Sequence, residues 1–253
     1  MQGMAWRWLA GVGTVLTLTG CAMLRPERAG EPAGEKAVLT AVAPTIDGKL
    51  DEACWQRASV ITNFLVPEVL TAPLSPTEAR ILWDKDYLYV AFRAADKDVW
   101  GYFEKRDDGT CQEDVLEVFI QPDPAAGHYY NFEMNALGTA LDGFIPGGKR
   151  GLIRRGVLWN CAGLKTGAQV QGTLNDWRDK DTGWTLEVAI PFAELPSLNG
   201  AAPKAGDVWR FHLARYDYSV HLPKDGTELT SCAPLSKVNF HLHEEYIPLR
   251  FVP

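Results

Sequence analysis

Between residues 79 and 252 the chain breaks repeatedly into short runs rich in β-branched and aromatic side chains, most of them closed by turn-forming residues. Runs of this length make natural strands and are too short for stable helices. Segments 79–83 and 88–94 flank Asp84-Lys85-Asp86-Tyr87, a hairpin signal. Segments 115–121 and 129–137 bracket Pro122-Asp123-Pro124, and polar residues 175–183 join 169–174 to 184–190. Segments 208–216 and 246–252 complete the series. Only 51–59, led by Asp51 as a cap, and 191–195 suit short helical turns. The spacing predicts an all-β fold, an antiparallel β-sandwich with short helical turns. The 9 Trp, 8 Tyr and 10 Phe beside 16 Pro and 23 Gly agree, since aromatic strands and tight turns supply that mixture. With no internal repeat and no second linker, one folded domain is expected over residues 38–253.

The amino terminus has a different character. One positive charge, an apolar run over residues 8–19 and then small residues read as a secretory signal peptide over residues 1–20. Leu18-Thr19-Gly20-Cys21 resembles the bacterial lipobox, which implies that Cys21 is acylated and becomes the mature terminus. Acyl chains hold such a protein at a membrane surface, at about 0.8 kcal/mol per buried CH₂. Ala22, where an Asp would signal inner-membrane retention, leads us to expect an outer-membrane or cell-surface lipoprotein. Residues 21–37, rich in Pro, Gly, Glu and Arg, read as a flexible tether. A net charge of −7 without a Lys/Arg cluster argues against nucleic acid as a partner. A polytopic membrane protein is excluded, because only one stretch is long and apolar. Of five cysteines, lipidation of Cys21 leaves Cys54, Cys111, Cys161 and Cys232, which an oxidising compartment can pair. No Cys/His spacing suits zinc.

Several motifs, in order, carry a resemblance. Ile46-Asp47-Gly48-Lys49-Leu50-Asp51-Glu52-Ala53-Cys54-Trp55 resembles the opening of carbohydrate-binding module family 9. Leu82-Trp83-Asp84-Lys85-Asp86-Tyr87-Leu88-Tyr89-Val90 is similar to that family's next strand pair, and Asp114-Val115-Leu116-Glu117-Val118-Phe119-Ile120 to its acidic strand. Tyr130-Asn131-Phe132-Glu133-Met134-Asn135 and Gly183-Trp184-Thr185-Leu186-Glu187-Val188-Ala189-Ile190-Pro191 match two later strands. The resemblance covers about residues 44–251. It implies a β-sandwich that binds sugar on one concave face, either alone or beside glycan-degrading enzymes.

Residue chemistry qualifies this. Trp55, Trp83 and Trp184 sit in apolar patterns and are expected to anchor the core. Asp47 and Asp51 suit a turn and a cap, and Glu187 suits the solvated side of its strand. By period-two parity, Leu116, Val118 and Ile120 share one face, while Val115, Glu117, Phe119 and Gln121 share the other. Phe132 and Met134 face inward, so Glu117, Glu133 and Asn135 gather on one surface as acceptors for vicinal sugar hydroxyls. Resemblance places Glu117 and Glu133 on the polar floor of the sugar site. It also implies two aromatics sandwiching the sugar ring, and at their places stand Cys111 and Cys232. Trp100, Tyr102, Trp177 and Phe240 are the nearby aromatics able to substitute. If Cys111 and Cys232 occupy both rims of such a cleft they face each other, and a bridge between them, which needs Cα atoms within about 7 Å, would mean a closed cleft. Cys54 and Cys161 are the pair left by elimination, with Cys54 equally suited to a buried apolar place, so the pairing stays open.

The function expected is therefore non-catalytic capture of a plant or microbial glycan at the cell surface by a lipid-anchored protein. Two alternatives compete. Glu117 and Glu133 could be the carboxylate pair of a glycoside hydrolase, which needs carboxyls at a set spacing and one raised pKa. Related sandwiches hold b-type haem through Met with His or Lys, which would use Met134. No cofactor is required, although the resemblance admits calcium; no acidic run has EF-hand spacing.

Overall fold

In the computed structural model, residues 34–146, 159–199, 201–223 and 225–253 are described; Cys21, the signal segment and most of the tether lie outside them. The strands are β1 (Glu35–Leu39), β2 (Thr77–Trp83), β3 (Tyr87–Ala95), β4 (Val115–Gln121), β5 (Tyr129–Asn135), β6 (Ala140–Ile145), β7 (Lys165–Gln171), β8 (Gly183–Pro191), β9 (Val208–Tyr218), β10 (Thr227–Ser231) and β11 (Ile247–Val252). Hydrogen bonding runs through them in the order β6-β5-β4-β9-β11-β1-β2-β3-β8-β7, with β10 added to β9. Neighbours are antiparallel except around β1, which is parallel to both β11 and β2.

The two ends of this sheet fold over one core. Leu116, Val118, Phe132, Met134 and Leu213 come from one half, Ile81, Val90, Phe92, Leu186 and Val188 from the other, and all are buried. Each hairpin read from the sequence forms: Trp83 pairs with Leu88, and Ile120 with Tyr130. Trp55, Trp83 and Trp184 are buried, as their apolar surroundings require.

Four local readings are corrected. The sheet begins at Glu35 rather than Val38, because Glu35–Val38 pairs with Leu249–Val252 and draws in the end of the expected tether. The strand expected at 169–174 occupies Lys165–Gln171. The turn at Ala53–Arg57 is a 3-10 helix whose N-cap is Glu52, with no side-chain cap, so Asp51 does not cap it. Glu187, expected in solvent, is fully buried because the amino-terminal turn folds over it. Its carboxylate accepts from Asp47 N at 3.0 Å, Gly48 N at 2.8 Å and Trp55 Nε1 at 2.7 Å. Gly48 is required there: its φ is +85°, and a Cβ would lie 2.6 Å from the Ala168 backbone. Beneath this turn Cys54, Trp55, Leu82, Tyr89, Ala91 and Ala189 form a second apolar cluster.

Candidate functional site

β4 places Glu117 directly opposite Glu133 of β5 and beside Ala214 of β9. The pairing is the one strand parity implies, but the face is covered, for every residue of β4 is buried. Residues after β10 bring Phe240, His241 and Tyr246 over this side, where Phe119 meets His212, His241 and Tyr246 at centroid distances of 5.1–5.8 Å. The carboxylates lie further along β4, beside the 3-10 turn Thr110–Gln112.

Glu117 is 2% exposed and its Oε2 has no hydrogen-bond partner. Burial, reinforced by the charge of Glu133, holds its carboxyl well above the usual range, which favours the protonated, hydrogen-bond-donating form. Glu133 accepts from Thr110 Oγ1 at 3.2 Å and Asn131 Nδ2 at 2.9 Å. Burial raises Glu133 too, opposed by those two hydrogen bonds. Asn131 Oδ1 is buried without a partner. The arrangement offers a neutral acid, a hydrogen-bonded carboxylate and an amide oxygen within one short stretch of two strands. Vicinal hydroxyls, each donor and acceptor, match that alternation.

Asn135 does not join this group. Its Nδ2 donates to Phe103 O at 2.8 Å and Glu113 Oε1 at 2.6 Å, and its Oδ1 accepts from Leu137 N and Thr139 N. The amide is committed to holding two loops. Cys232 is also elsewhere: it is buried in the core, and its Sγ accepts from Leu213 N at 3.1 Å. Cys111 is exposed, and Cys54, Cys111, Cys161 and Cys232 are all free thiols, so neither a Cys111–Cys232 nor a Cys54–Cys161 bridge is formed. Cys232 directly follows β10, and its N donates to Leu213 O at 3.0 Å, which seats it against β9. Met134 is packed in the core and presents no edge to a macrocycle.

The aromatics beside the carboxylates are ones the sequence reading passed over. Tyr216 and Tyr218 of β9 lie on the same side as Glu117, with rings 6.4 Å apart and nearly parallel. Phe240 meets Tyr216 edge-on at 5.2 Å, and Tyr218 Oη donates to Cys111 O at 2.8 Å. The signal was available, since Tyr216-Asp217-Tyr218 alternates in step with Val115-Leu116-Glu117. Trp100 stacks against Tyr102 at 6.0 Å. The loop bearing Trp177 is tied to that segment, because Asn175 Nδ2 donates to Gly101 O and Asn175 Oδ1 accepts from Gly101 N. Tyr102 and Trp177 are 59% and 57% exposed.

One further cluster bears on calcium. Carboxylate oxygens of Asp96, Asp114 and Asp217 lie within 4.8 Å of one another, and all three residues are buried. Asp114 accepts from Trp100 N and Tyr218 N. Arg215 donates to Asp96 at 2.9 Å and stands 3.4 Å from Asp217. Neither oxygen of Asp217 has a hydrogen bond. Burial raises the pKa of Asp96 to about 7 and that of Asp114 well above its usual range, so the cluster by itself resists full ionisation. A divalent cation would favour the ionised form, in which three carboxylates against the Arg215 guanidinium carry the two negative charges it cancels. An all-oxygen donor set with an orphaned carboxylate fits calcium.

A sandwich with carboxylates, amides and aromatics gathered at strand level is the architecture of a carbohydrate-binding module. The sequence profile described as "Carbohydrate family 9 binding domain-like" matches residues 46–231, and the chain belongs to that family. A candidate carbohydrate-binding protein from Bacteroides uniformis superposes with a TM-score of 0.65 at 14% identity, covering 87% of this chain and 100% of that one. A family 9 module from Caldicellulosiruptor kristjanssonii, solved with cellotriose, gives a TM-score of 0.58 at 12% identity, covering 86% and 94%. The same module has been solved with glucose. In sequence, exoglucanase XynX of Acetivibrio thermocellus is 26% identical over 166 residues, 64% of this chain but only 13% of that enzyme.

Proposed function

We propose that this protein is an exported, lipid-anchored, non-catalytic module that captures oligo- or polysaccharide at the bacterial surface. Glu117 carries the reading: a fully buried carboxyl with an unpartnered oxygen, opposite Glu133 and on a sugar-binding family's scaffold. Protonated Glu117 donates to a sugar oxygen, while Glu133 and Asn131 Oδ1 accept from hydroxyls. Tyr216, Tyr218 and Trp100 offer ring faces for stacking. Titration calorimetry against cellotriose and hits from a glycan array tests this on the chain lacking residues 1–21. Each lost hydrogen bond should cost about 0.5–1.5 kcal/mol, several-fold in affinity. Unchanged affinity in both Glu117→Ala and Glu133→Ala, with unchanged melting, would exclude this face.

Calcium at Asp96, Asp114 and Asp217 belongs to the same proposal. It would brace the segment carrying Trp100 and Tyr102 against β9, because Asp114 already binds the amides of Trp100 and Tyr218. A rise in melting temperature with calcium, abolished by chelator and by Asp217→Asn, is expected. For export, Cys21→Ala should lose fatty-acid labelling and membrane partitioning.

A second reading has one observation in its favour. Cross-strand neighbours have Cβ atoms about 4.5–5.5 Å apart, compatible with the carboxyl spacing of about 5–5.5 Å in retaining glycosidases, and Glu117 has the raised pKa of an acid. Release of reducing sugar by pure protein, lost in Glu117→Gln, would establish hydrolysis.

A further inference from the structure

A cavity lies on the other half of the sandwich, away from Glu117. Its volume is about 630 Å³, and its lining includes Lys49, Glu78, Arg93, Gln169, Gln171 and Thr185. That volume falls in the range of small-molecule sites, about 300–1,000 Å³. The floor is built by register. Glu78 of β2 pairs with Arg93 of β3, Arg93 with Thr185 of β8, and Thr185 with Gln169 of β7. Four polar side chains thus stand in one row across four strands, spanning about 14 Å at roughly 4.8 Å per interval. The turn at Gly48 and Lys49 walls one side, pinned by Thr185 Oγ1 donating to Gly48 O at 2.6 Å.

Most groups in this row are already engaged. Lys49 is bound to Asp47 at 2.8 Å, and Gln171 Nε2 donates to Gln169 O and Thr185 Oγ1. Gln169 Nε2 donates to Asp47 O at 3.1 Å. Arg93 differs. It is exposed, and among the described residues its guanidinium has no ion pair or hydrogen bond, although Glu78 is its direct cross-strand neighbour. Glu78 instead leans towards Arg80, at 4.0 Å. A free planar fork of donors at the centre of a polar row favours a carboxylate, which it grips through two parallel hydrogen bonds. The hydroxyl, amide and carboxylate groups flanking it suit the hydroxyls of a sugar ring. Glu78 and the tied Lys49 leave the floor near neutral, which disfavours a multiply charged phosphate.

We propose that this groove is a second glycan site, specific for an acidic sugar whose carboxylate docks on Arg93. The site depends on nothing at Glu117. The test is calorimetry with trigalacturonate and with cellotriose on the chain lacking residues 1–21. Trigalacturonate should bind, more weakly as salt rises. Arg93→Gln should weaken it about tenfold or more while leaving cellotriose binding unchanged, and Arg93→Lys should restore it only in part. Glu117→Ala should leave trigalacturonate binding intact. The proposal is overturned if trigalacturonate fails to bind, if Arg93→Gln keeps wild-type affinity, or if inorganic phosphate displaces trigalacturonate with equal affinity. Loss of trigalacturonate binding in Glu117→Ala would place the acidic sugar in the other site and overturn it as well. Failure of cellotriose and of every neutral glycan-array hit would refute the first site and leave this one standing.

Discussion

Replacing Glu117 by Gln should make the protein more stable, and increasingly so as pH rises. In the unfolded chain this carboxyl ionises near pH 4.5; in the fold, burial and the facing Glu133 keep it protonated well above that. Between those two pKa values the native state binds one proton more than the unfolded state. Stability therefore falls as pH rises through that window, by up to about 1.4 kcal/mol per pH unit. Each pH unit of that window is thus a sizeable fraction of a domain's usual net stability of about 5–15 kcal/mol. Glutamine has nearly the shape of the protonated acid and does not titrate. The two proteins should match near pH 4.5, and the variant should then gain steadily. Other buried ionisable groups, His212 among them, are common to both proteins and cancel in the difference. Urea unfolding followed by tryptophan fluorescence, repeated across this pH range, measures the difference directly. Parallel stability curves, or a variant less stable at every pH, would show that Glu117 is charged in the fold and would remove the donor role assigned to it.

Three further outcomes are expected. Glu187→Ala should cost about 2–5 kcal/mol in urea unfolding, because it strands the buried amide of Gly48, the half-buried amide of Asp47 and the indole of Trp55; a loss below about 1 kcal/mol would contradict the clamp. Thiol titration of the chain lacking residues 1–21 should find Cys111 reactive in the native state and Cys54, Cys161 and Cys232 only after unfolding. His212, held to a pKa of about 3 by burial and by His241, should make stability fall as pH drops from 6.5 towards 3. The slope is up to about 1.4 kcal/mol per unit, and His212→Asn should flatten it.

The hairpins were legible because they are local: a turn signal between two alternating runs names its own partner. β1, β6 and β10 were not. β1 pairs only in parallel, with strands far away in sequence, and leaves Ala37 as its one buried residue. β10 is Thr-Glu-Leu-Thr-Ser, too polar to signal a strand until β9 lies beside it. Facing of Glu117 and Glu133 followed from parity, yet the burial of their face did not, because the cover is irregular chain near Phe240 and Tyr246. Cys232 is in the core and not on a ligand rim because it directly follows β10, a strand whose polar sequence does not announce it. Asp96, Asp114 and Asp217 come from three separate segments, so no spacing rule could gather them.

Glu117 and Glu187 show where reading by pattern ends and reading by hydrogen bond begins. Each is a lone acid between apolar neighbours in the middle of a strand, and alternation assigns both to solvent. Both are buried. The oxygens of Glu187 are fully taken, Oε1 by Trp55 and Oε2 by Asp47 and Gly48, so that carboxylate is a fastening within the fold. Glu117 has an oxygen with nothing bound to it, and its nearest charged partner is another acid. A fold gains nothing from such a group, because burying an unpaired polar atom is unfavourable by about 1–3 kcal/mol. A ligand that completes its hydrogen bonding would recover that loss, and on this ground the proposed site is drawn at Glu117 and not at Glu187.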